Sequence, residues 1–138
     1  SDDANNLTRR AFIKFDTSTI RADSVNKVTL RVYCQYASKD SQEIKNRRYK
    51  LYAVSPEWKE MGMKWDTQPT LGDAISDINT QDAKKGVWLE IDVTEHVKSC
   101  VGGMVAFAIC NEGPSSTENH IYLSSRESAG QEPRLVFE

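Results

Sequence analysis

The sequence predicts an all-β fold, in which antiparallel sheets pack face to face as a β-sandwich with one short helix. Short apolar and β-branched segments recur along the chain, and turn-rich stretches separate them. Helical periodicity is scarce, and consecutive strands without long helices between them favour antiparallel sheets. With 138 residues, the chain has the usual length of one domain and can bury a core without a metal or a disulfide. Residues 1–138 are therefore expected to form a single module.

The first two predicted strands, at 9–16 and 28–36, alternate between an inward and an outward face. In the first strand, one face carries Ala11, Ile13 and Phe15, and the other carries Arg10, Phe12 and Lys14. In the second strand, the apolar face carries Val28, Leu30, Val32 and Cys34. Both apolar sets are predicted to face the core.

The rest of the chain reads as five further strands, at about 48–54, 87–93, 105–110, 120–125 and 134–138. The segment 71–86 is interpreted as a long surface loop, because Ile75 and Ile78 stand there among polar residues; one helical turn is the alternative. Thr94 is expected to cap a short helix over 95–98, which ends at the glycines 102 and 103.

The charge balance excludes some partners. Eighteen Lys and Arg residues face 20 Asp and Glu residues, and the formal net charge is −2. A nucleic-acid-binding surface is not expected, because phosphate affinity needs a basic excess. No apolar run approaches the roughly 18 residues that span a bilayer, and the opening Ser1–Asp3 is neither a signal peptide nor an anchor. Any anion site must therefore be a local patch.

Zinc is not expected, because Cys34, Cys100 and Cys110 lack the spacing of metal ligands. Their odd number leaves at least one of them unpaired within the chain. Cys34 and Cys110 lie in strand-like segments, and we expect both to be small buried hydrophobic residues, with a disulfide as the alternative.

No cofactor is expected. Acidic and amide residues cluster at the N-terminus and in the segment 71–86, but they lack the ligand spacing of an EF-hand loop. These residues are Asp2, Asp3, Asn5, Asn6, Asp73, Asp77 and Asp82. A structural calcium held by loops stays open.

A series of segments, taken in order, resembles the DNRLRE-type domains. In the opening half these are RAFIKFD at 10–16, VTLRVY at 28–33 and WKE at 58–60, with Trp65 and Pro69. In the closing half they are WLEIDVT at 88–94, VAFAI at 105–109, LSSRE at 123–127 and PRLV at 133–136. The resemblance runs from about Arg9 to the C-terminus and rests on order and spacing together.

The resemblance implies a jelly-roll β-sandwich attached to a secreted or cell-surface bacterial protein, often a polysaccharide-degrading enzyme. Some domains of this type are carbohydrate-binding modules for alginate and related acidic glycans. The implied partners are thus an acidic polysaccharide and an attached catalytic domain. Such domains usually have a further strand or two ahead of the RAFIKFD segment, whereas only residues 1–8 precede it here, which allows for a missing N-terminal edge strand.

Strand alternation also predicts where a ligand binds. If Ile121 and Leu123 point inward, the residues His120, Tyr122 and Arg126 project outward, as Arg10 and Lys14 do. Aromatic rings cover the C–H faces of sugars, and guanidinium groups bind carboxylates or sulfates through two hydrogen bonds. The predicted ligand-binding residues are Arg9, Arg10, Lys14, His120, Tyr122 and Arg126. The alternative for each basic residue is solubility and protection of a sheet edge.

The tryptophans Trp58, Trp65 and Trp88 are predicted to fill the core or to lie under a loop, since aromatic residues of a sandwich usually do so. An enzyme is not expected, because nucleophile-elbow, zinc-protease and phosphate-loop motifs are missing. A glycosidase-type pair among Asp16, Glu60, Asp92 and Glu127 would depend on their separation in space; we interpret these carboxylates as framework. The sequence therefore predicts a noncatalytic polysaccharide-binding module, with a structural or adhesion spacer as the alternative.

Overall fold

A computed structural model of the chain describes residues 10–37, 39, 44–45, 48–57, 70–81, 83–112, 121–124 and 129–138. These residues form a sandwich of two antiparallel sheets, which confirms the predicted all-β fold. The segment ahead of residue 10, where the resemblance allows for a missing edge strand, lies outside the described residues.

The first sheet has the strand order β1-β6-β3-β4. Its strands are β1 (Arg10–Asp16), β3 (Tyr49–Val54), β4 (Leu71–Ile78) and β6 (Met104–Asn111). The central strand β6 is buried along almost its whole length, because it lies between two strands and carries apolar or small residues on both faces.

The second sheet is built around β2. Its strands are β2 (Val28–Ala37), β5 (Trp88–Asp92), β7 (Ile121–Leu123) and β8 (Arg134–Phe137). One edge of β2 pairs with β5, and the other edge pairs with β8 and then with β7. The β2–β7 pairing contains a β-bulge between Cys34 and Tyr36.

The core lies between the sheets. Leu30 and Val32 of β2 and Phe107 of β6 are at most 1% exposed, and Ile13 and Phe15 of β1 pack against this cluster. The ring of Phe15 meets the ring of Phe107 edge to face at 6.2 Å. The predicted inward faces of the first two strands are thus confirmed, apart from Ala11, which is exposed.

The segment 71–86 is not a surface loop, as the sequence suggested, because residues 71–78 form β4. As the last strand in the order of its sheet, β4 pairs with β3 alone among the described strands. Its exposed side tolerates polar residues such as Asp73 and Asp77, while Ile75 and Ile78 pack against the core. Register shifts opposite Tyr52 break the strict alternation that would have revealed the strand.

The predicted short helix exists as α1 (Thr94–Lys98), but Thr94 is not its cap. The N-cap residue is Val93, and Thr94 is the first helical residue. Its hydroxyl group donates to Asp92 Oδ1 at 2.6 Å and accepts from the Val28 N–H at 3.0 Å. Thr94 therefore joins the helix to β2. Beyond the helix, Gly102 adopts a φ of +103°, which favours glycine.

All three cysteines are free, and Cys34 and Cys110 are buried, as expected. Their strands lie in different sheets, and each thiol packs as a small apolar group. No helix among the described residues is long and apolar enough to cross a membrane.

Candidate functional site

The outer face of the first sheet is built from alternate residues of three neighbouring strands. Phe12 of β1 and Tyr52 of β3 both pair in register with Ala108 of β6. The row on one side joins Arg10, Cys110 and Lys50, and the row on the other side joins Lys14, Ala106 and Val54. We call these nine residues the first-sheet face.

Small side chains form the centre of the first-sheet face. Ala106, Ala108 and Cys110 are 2%, 0% and 1% exposed, and the half-buried rings of Phe12 and Tyr52 pack against them. Because neighbouring strands lie about 4.8 Å apart, β1 and β3 are separated by roughly 10 Å across β6. The two aromatic residues therefore stand on either side of a strand that carries no large outward side chain.

The first-sheet face carries a local excess of positive charge. Arg10, Lys14 and Lys50 belong to it, whereas the whole chain has a formal net charge of −2. Among the described residues, Asp77 and Glu112 are the two carboxylates that contact the face. Asp77 Oδ1 lies 3.7 Å from Lys50 Nζ, and because the Asp77 side chain is 87% exposed, this is a weak surface pair. Glu112 is the second carboxylate, and it binds Tyr52.

Tyr52 is oriented by a hydrogen bond at the end of the face. Its Oη donates to Glu112 Oε1 at 2.8 Å. This hydrogen bond, with a smaller contribution from desolvation, raises the pKa of the Tyr52 phenol above its ordinary value. The phenol therefore stays neutral, and its ring is held beside β6.

Arg10 contributes charge to the same end of the face. Burial raises the pKa of Cys110 to about 11, and the Arg10 charge acts in the opposite direction on both Cys110 and Tyr52. The Cys110 thiol is thus neutral at physiological pH and packs with Ala106 and Ala108 in the centre of the face. Arg10 lies in the row that it shares with Cys110 and Lys50, next to the row of Tyr52.

A cleft of about 360 Å³ opens beside β1, between the two sheets. Phe12 and Lys14 line it from the first sheet, and Leu123, Glu132 and Pro133 line it from the second. The cleft is mostly apolar, with Lys14 and Glu132 as its charged side chains. It connects the edge of the first-sheet face with the segment between β7 and β8.

The six predicted ligand-binding residues have different outcomes. Arg10 and Lys14 lie on the first-sheet face, on the same side of β1. Tyr122 lies in β7, opposite Tyr36, and therefore belongs to the second sheet. The strands β1 and β7 thus lie in different sheets, on the two sides of the lateral cleft. Three predicted residues, Arg9, His120 and Arg126, lie outside the described residues.

Sequence reasoning missed Lys50 and Tyr52, although a signal for them was present. Leu51 of β3 is fully buried in the core, and strand alternation then places its two neighbours outward. The sequence does not show that β1 and β3 lie close to each other, because the strand between them, β6, begins about 50 residues after the end of β3.

The expectation that tryptophans lie in the core or under a loop is wrong for Trp88. Leu89 and Ile91 of β5 are 7% and 4% exposed and enter the core. The half-buried Trp88 therefore lies on the outer face of the second sheet, where its ring meets Tyr33 edge to face at 5.1 Å. Trp58 and Trp65 lie outside the described residues.

The described carboxylates of the suggested acid pair are held by their own turns. Asp16 Oδ1 accepts from the Ser18 N–H at 2.9 Å, and this hydrogen bond lowers the pKa of Asp16. Asp92 accepts from the Thr94 hydroxyl and N–H, and these bonds lower its pKa. Both residues act as local framework, whereas Glu60 and Glu127 lie outside the described residues. Within the described parts of the chain, no group of three or more His, Cys, Asp or Glu residues is placed to hold a metal ion.

A β-sandwich that presents aromatic and cationic side chains on the outer face of one sheet has the architecture of a carbohydrate-binding module. Comparison with family models agrees with this class. The model of carbohydrate-binding module family 96 matches residues 1–138, and the chain belongs to that family. No curated protein matches the chain.

Proposed function

We propose that this module binds an acidic polysaccharide through the first-sheet face and performs no chemistry itself. Alginate-like, pectin-like and glycosaminoglycan chains are the proposed ligands. The family supports carbohydrate binding in general. The acidic class is proposed from the charge of the face, because guanidinium and ammonium groups bind carboxylates and sulfates.

The arrangement of Arg10, Phe12 and Lys14 carries this proposal. The three residues alternate along β1, so that two cations flank one aromatic ring on the same side of the strand. Tyr52 supplies a second ring across the small side chain of Ala108. Rings contact the apolar face of a sugar, and the flanking cations bind its acidic groups.

The remaining predicted residues extend the proposed site. Arg9 directly precedes β1, and His120 directly precedes β7, which borders the lateral cleft through Leu123. We propose that Arg9, His120, Tyr122 and Arg126 contact the same polysaccharide where it passes the edge of the sandwich. No cofactor is needed for binding through hydrogen bonds, ion pairs and ring contacts.

In the proposed role, the module acts through local concentration. It is secreted as a single domain of a larger bacterial protein and holds an attached catalytic domain near its polymer. The second contact of a tethered pair becomes intramolecular, so that modest single-site affinity is sufficient. Because the cations Arg10, Lys14 and Lys50 are partly exposed to solvent, the affinity falls as salt rises and screens them.

Binding of the isolated module to a glycan panel tests the proposal. The panel contains alginate, pectin and a glycosaminoglycan beside neutral glycans, at low salt and at about 0.5 M NaCl, where screening is strong. The expected result is salt-sensitive binding to acidic members, weakened about tenfold in Arg10→Ala and in Lys14→Ala, because each removes one charged contact. Lys98→Ala removes an exposed cation from the helix and is the matched control.

Two other results would count against the proposal. If no glycan binds, the structural or adhesion spacer becomes the better explanation. If acidic glycans bind but Arg10→Ala and Lys14→Ala bind as well as the wild type, the site lies elsewhere.

A further inference from the structure

A second group of aromatic and charged residues lies on the outer face of the second sheet. Trp88 of β5 is opposite Tyr33 of β2, and Arg31 of β2 is opposite Arg134 of β8. We call these four residues the Trp88 cluster. It lies on the far side of the sandwich from the first-sheet face, and the proposed function does not use it.

The Trp88 cluster is held in place by contacts among its own members. The guanidinium carbons of Arg31 and Arg134 lie 4.7 Å and 5.8 Å from the centroid of the Trp88 ring. The Tyr33 ring meets the same indole at 5.1 Å with an interplanar angle of 71°. Such cation–π and edge-to-face contacts fix the side chains before any ligand arrives.

The placement of the two arginines lowers the stability of the sheet, which a surface with only a structural role would not require. Arg31 and Arg134 are direct cross-strand partners, and like charges in this position destabilise a sheet. Each is offset by its own carboxylate: Arg31 Nε lies 2.9 Å from Glu90 Oε2, and Arg134 Nη2 donates to Glu132 Oε1 at 3.1 Å. Among the described residues, two carboxylates thus balance the two cations of this patch, whereas two carboxylates border the three cations of the first-sheet face.

An electrically balanced patch of this kind fits uncharged sugars. A hydroxyl group donates one hydrogen bond and accepts others, so that a paired carboxylate and guanidinium can bind neighbouring hydroxyls at once. An acidic chain would gain no net electrostatic attraction from these paired charges. The Arg134 and Glu90 side chains are 49% and 59% exposed and are accessible to such hydroxyls.

Tyr36 extends this surface along β2. The bulge after Cys34 leaves Tyr36 48% exposed and returns Ala37 to the core. At the rise of a strand, Tyr33 and Tyr36 are about 10 Å apart, which is close to the length of one disaccharide unit. Successive rings along the strand therefore match a linear polysaccharide that presents the same sugar face at every second unit.

We propose that the Trp88 cluster, together with Tyr36, is a second polysaccharide site, which takes an uncharged chain. This inference rests on the proposed polysaccharide-binding function and extends it. With acidic and neutral chains on opposite faces, one module links two kinds of polymer.

Affinity electrophoresis in gels that contain xyloglucan, galactomannan or mixed-linkage β-glucan tests the second site. The expected result is retention by at least one of these neutral polymers, unchanged at about 0.5 M NaCl because no net charge is involved. Tyr36→Ala and Arg134→Ala should each weaken retention about fivefold, the effect of one aromatic or charge-assisted contact. Arg134→Lys keeps the charge but loses the planar guanidinium group, and should be nearly as weak.

The controls separate this inference from the proposed function. Arg21→Ala removes an exposed arginine that pairs with Asp23 at 3.0 Å, much as Arg134 pairs with Glu132, and should leave retention unchanged. Thermal unfolding identifies any variant that fails to fold. Binding to acidic glycans should be unaffected by Arg134→Lys, because Arg134 pairs with Arg31 and lies away from β7. The second site is wrong if no neutral polymer retains the protein. It is also wrong if the Tyr36 and Arg134 variants are retained like the wild type. Neither result bears on the binding of acidic glycans through Arg10, which has its own test.

Discussion

Phe12 and Tyr52 stand on either side of Ala108, although 40 residues separate them in the chain. The two rings come from β1 and β3 and pack against the same row of small residues on β6. This relationship places an aromatic ring on either side of a buried row of small residues on the outer face of the first sheet. It also makes the two rings separable by mutation, because each belongs to a different strand.

Replacing Tyr52 distinguishes its ring from its hydroxyl group. Tyr52→Phe should leave glycan affinity within about twofold, because the ring contact is kept and only the hydrogen bond to Glu112 is lost. Tyr52→Ala should lower affinity about fivefold to tenfold, the usual value of one aromatic contact. Isothermal titration calorimetry with an acidic oligosaccharide measures both. Equal losses in the two variants would show that the hydroxyl group, rather than the ring, binds the ligand.

Enlarging the buried side chain of Ala108 should strain the sheet. Ala108 is fully buried between Phe12 and Tyr52, and Ala108→Leu adds three carbon atoms where no space exists. We expect the free energy of unfolding to fall by about 1–3 kcal/mol, as overpacked cores do. Urea denaturation measures the loss. A variant as stable as the wild type would mean that the side chains around Ala108 leave more space than its burial indicates.

Truncating Phe107 should damage the fold. Its side chain is fully buried between the sheets, in contact with the rings of Phe15 and His96. Phe107→Ala should lower the free energy of unfolding by about 3–5 kcal/mol, the range for a large buried aromatic residue. Urea denaturation at neutral pH tests this, with Phe12→Ala on the partly exposed face as the comparison. A smaller loss at Phe107 than at Phe12 would contradict the assignment of the core.

His96 should make stability depend on pH. Burial lowers the pKa of this half-buried imidazole, and Asp73 opposes the shift only partly. The unfolded chain then binds a proton more readily than the folded protein below about pH 6.5. Stability is therefore full above that pH and falls as the pH decreases through the folded pKa. The thiol of Cys100, 3.8 Å from His96 Nε2, should stay protonated throughout, because burial raises its pKa.

Melting temperatures between pH 7.5 and pH 5 measure this effect, with His96→Gln as the variant that cannot titrate. The wild type should lose stability over this range, and the variant should not. Asp16 and Asp92 do not affect stability in this pH range. Their pKa values are lowered in the folded protein, so the stability that they contribute is lost only below the carboxylate pKa of the unfolded chain. If the melting temperatures of the two proteins change with pH in the same way, His96 is not the cause of the pH dependence.

Alternation within single strands could be predicted from the sequence, and pairing between distant strands could not. The pattern around Ile13 and Phe15 correctly placed Arg10 and Lys14 outward, because the side-chain period of a strand is two residues. The same rule, applied to Leu89 and Ile91, would have placed Trp88 on the outside. A general preference of aromatic residues for the core was given more weight there than the local pattern.

The strand β4 and the composition of the face needed the structure. Bulges in the β3–β4 register hide the alternation of residues 71–78, so that a polar edge strand reads as a loop. The position of Tyr52 beside β1 depends on β6 entering between β1 and β3. Such an insertion is set by packing of the whole domain, and no local feature near Tyr52 indicates it.

The central claim is that an acidic polysaccharide binds across the first-sheet face, and backbone amide chemical shifts during titration with an alginate oligosaccharide test it most directly. The account predicts that shifts concentrate at residues 10–14, 50–54 and 106–110, and that they diminish in Arg10→Ala. Shifts confined to β2, β5 and β8, or to the helix α1, would contradict it.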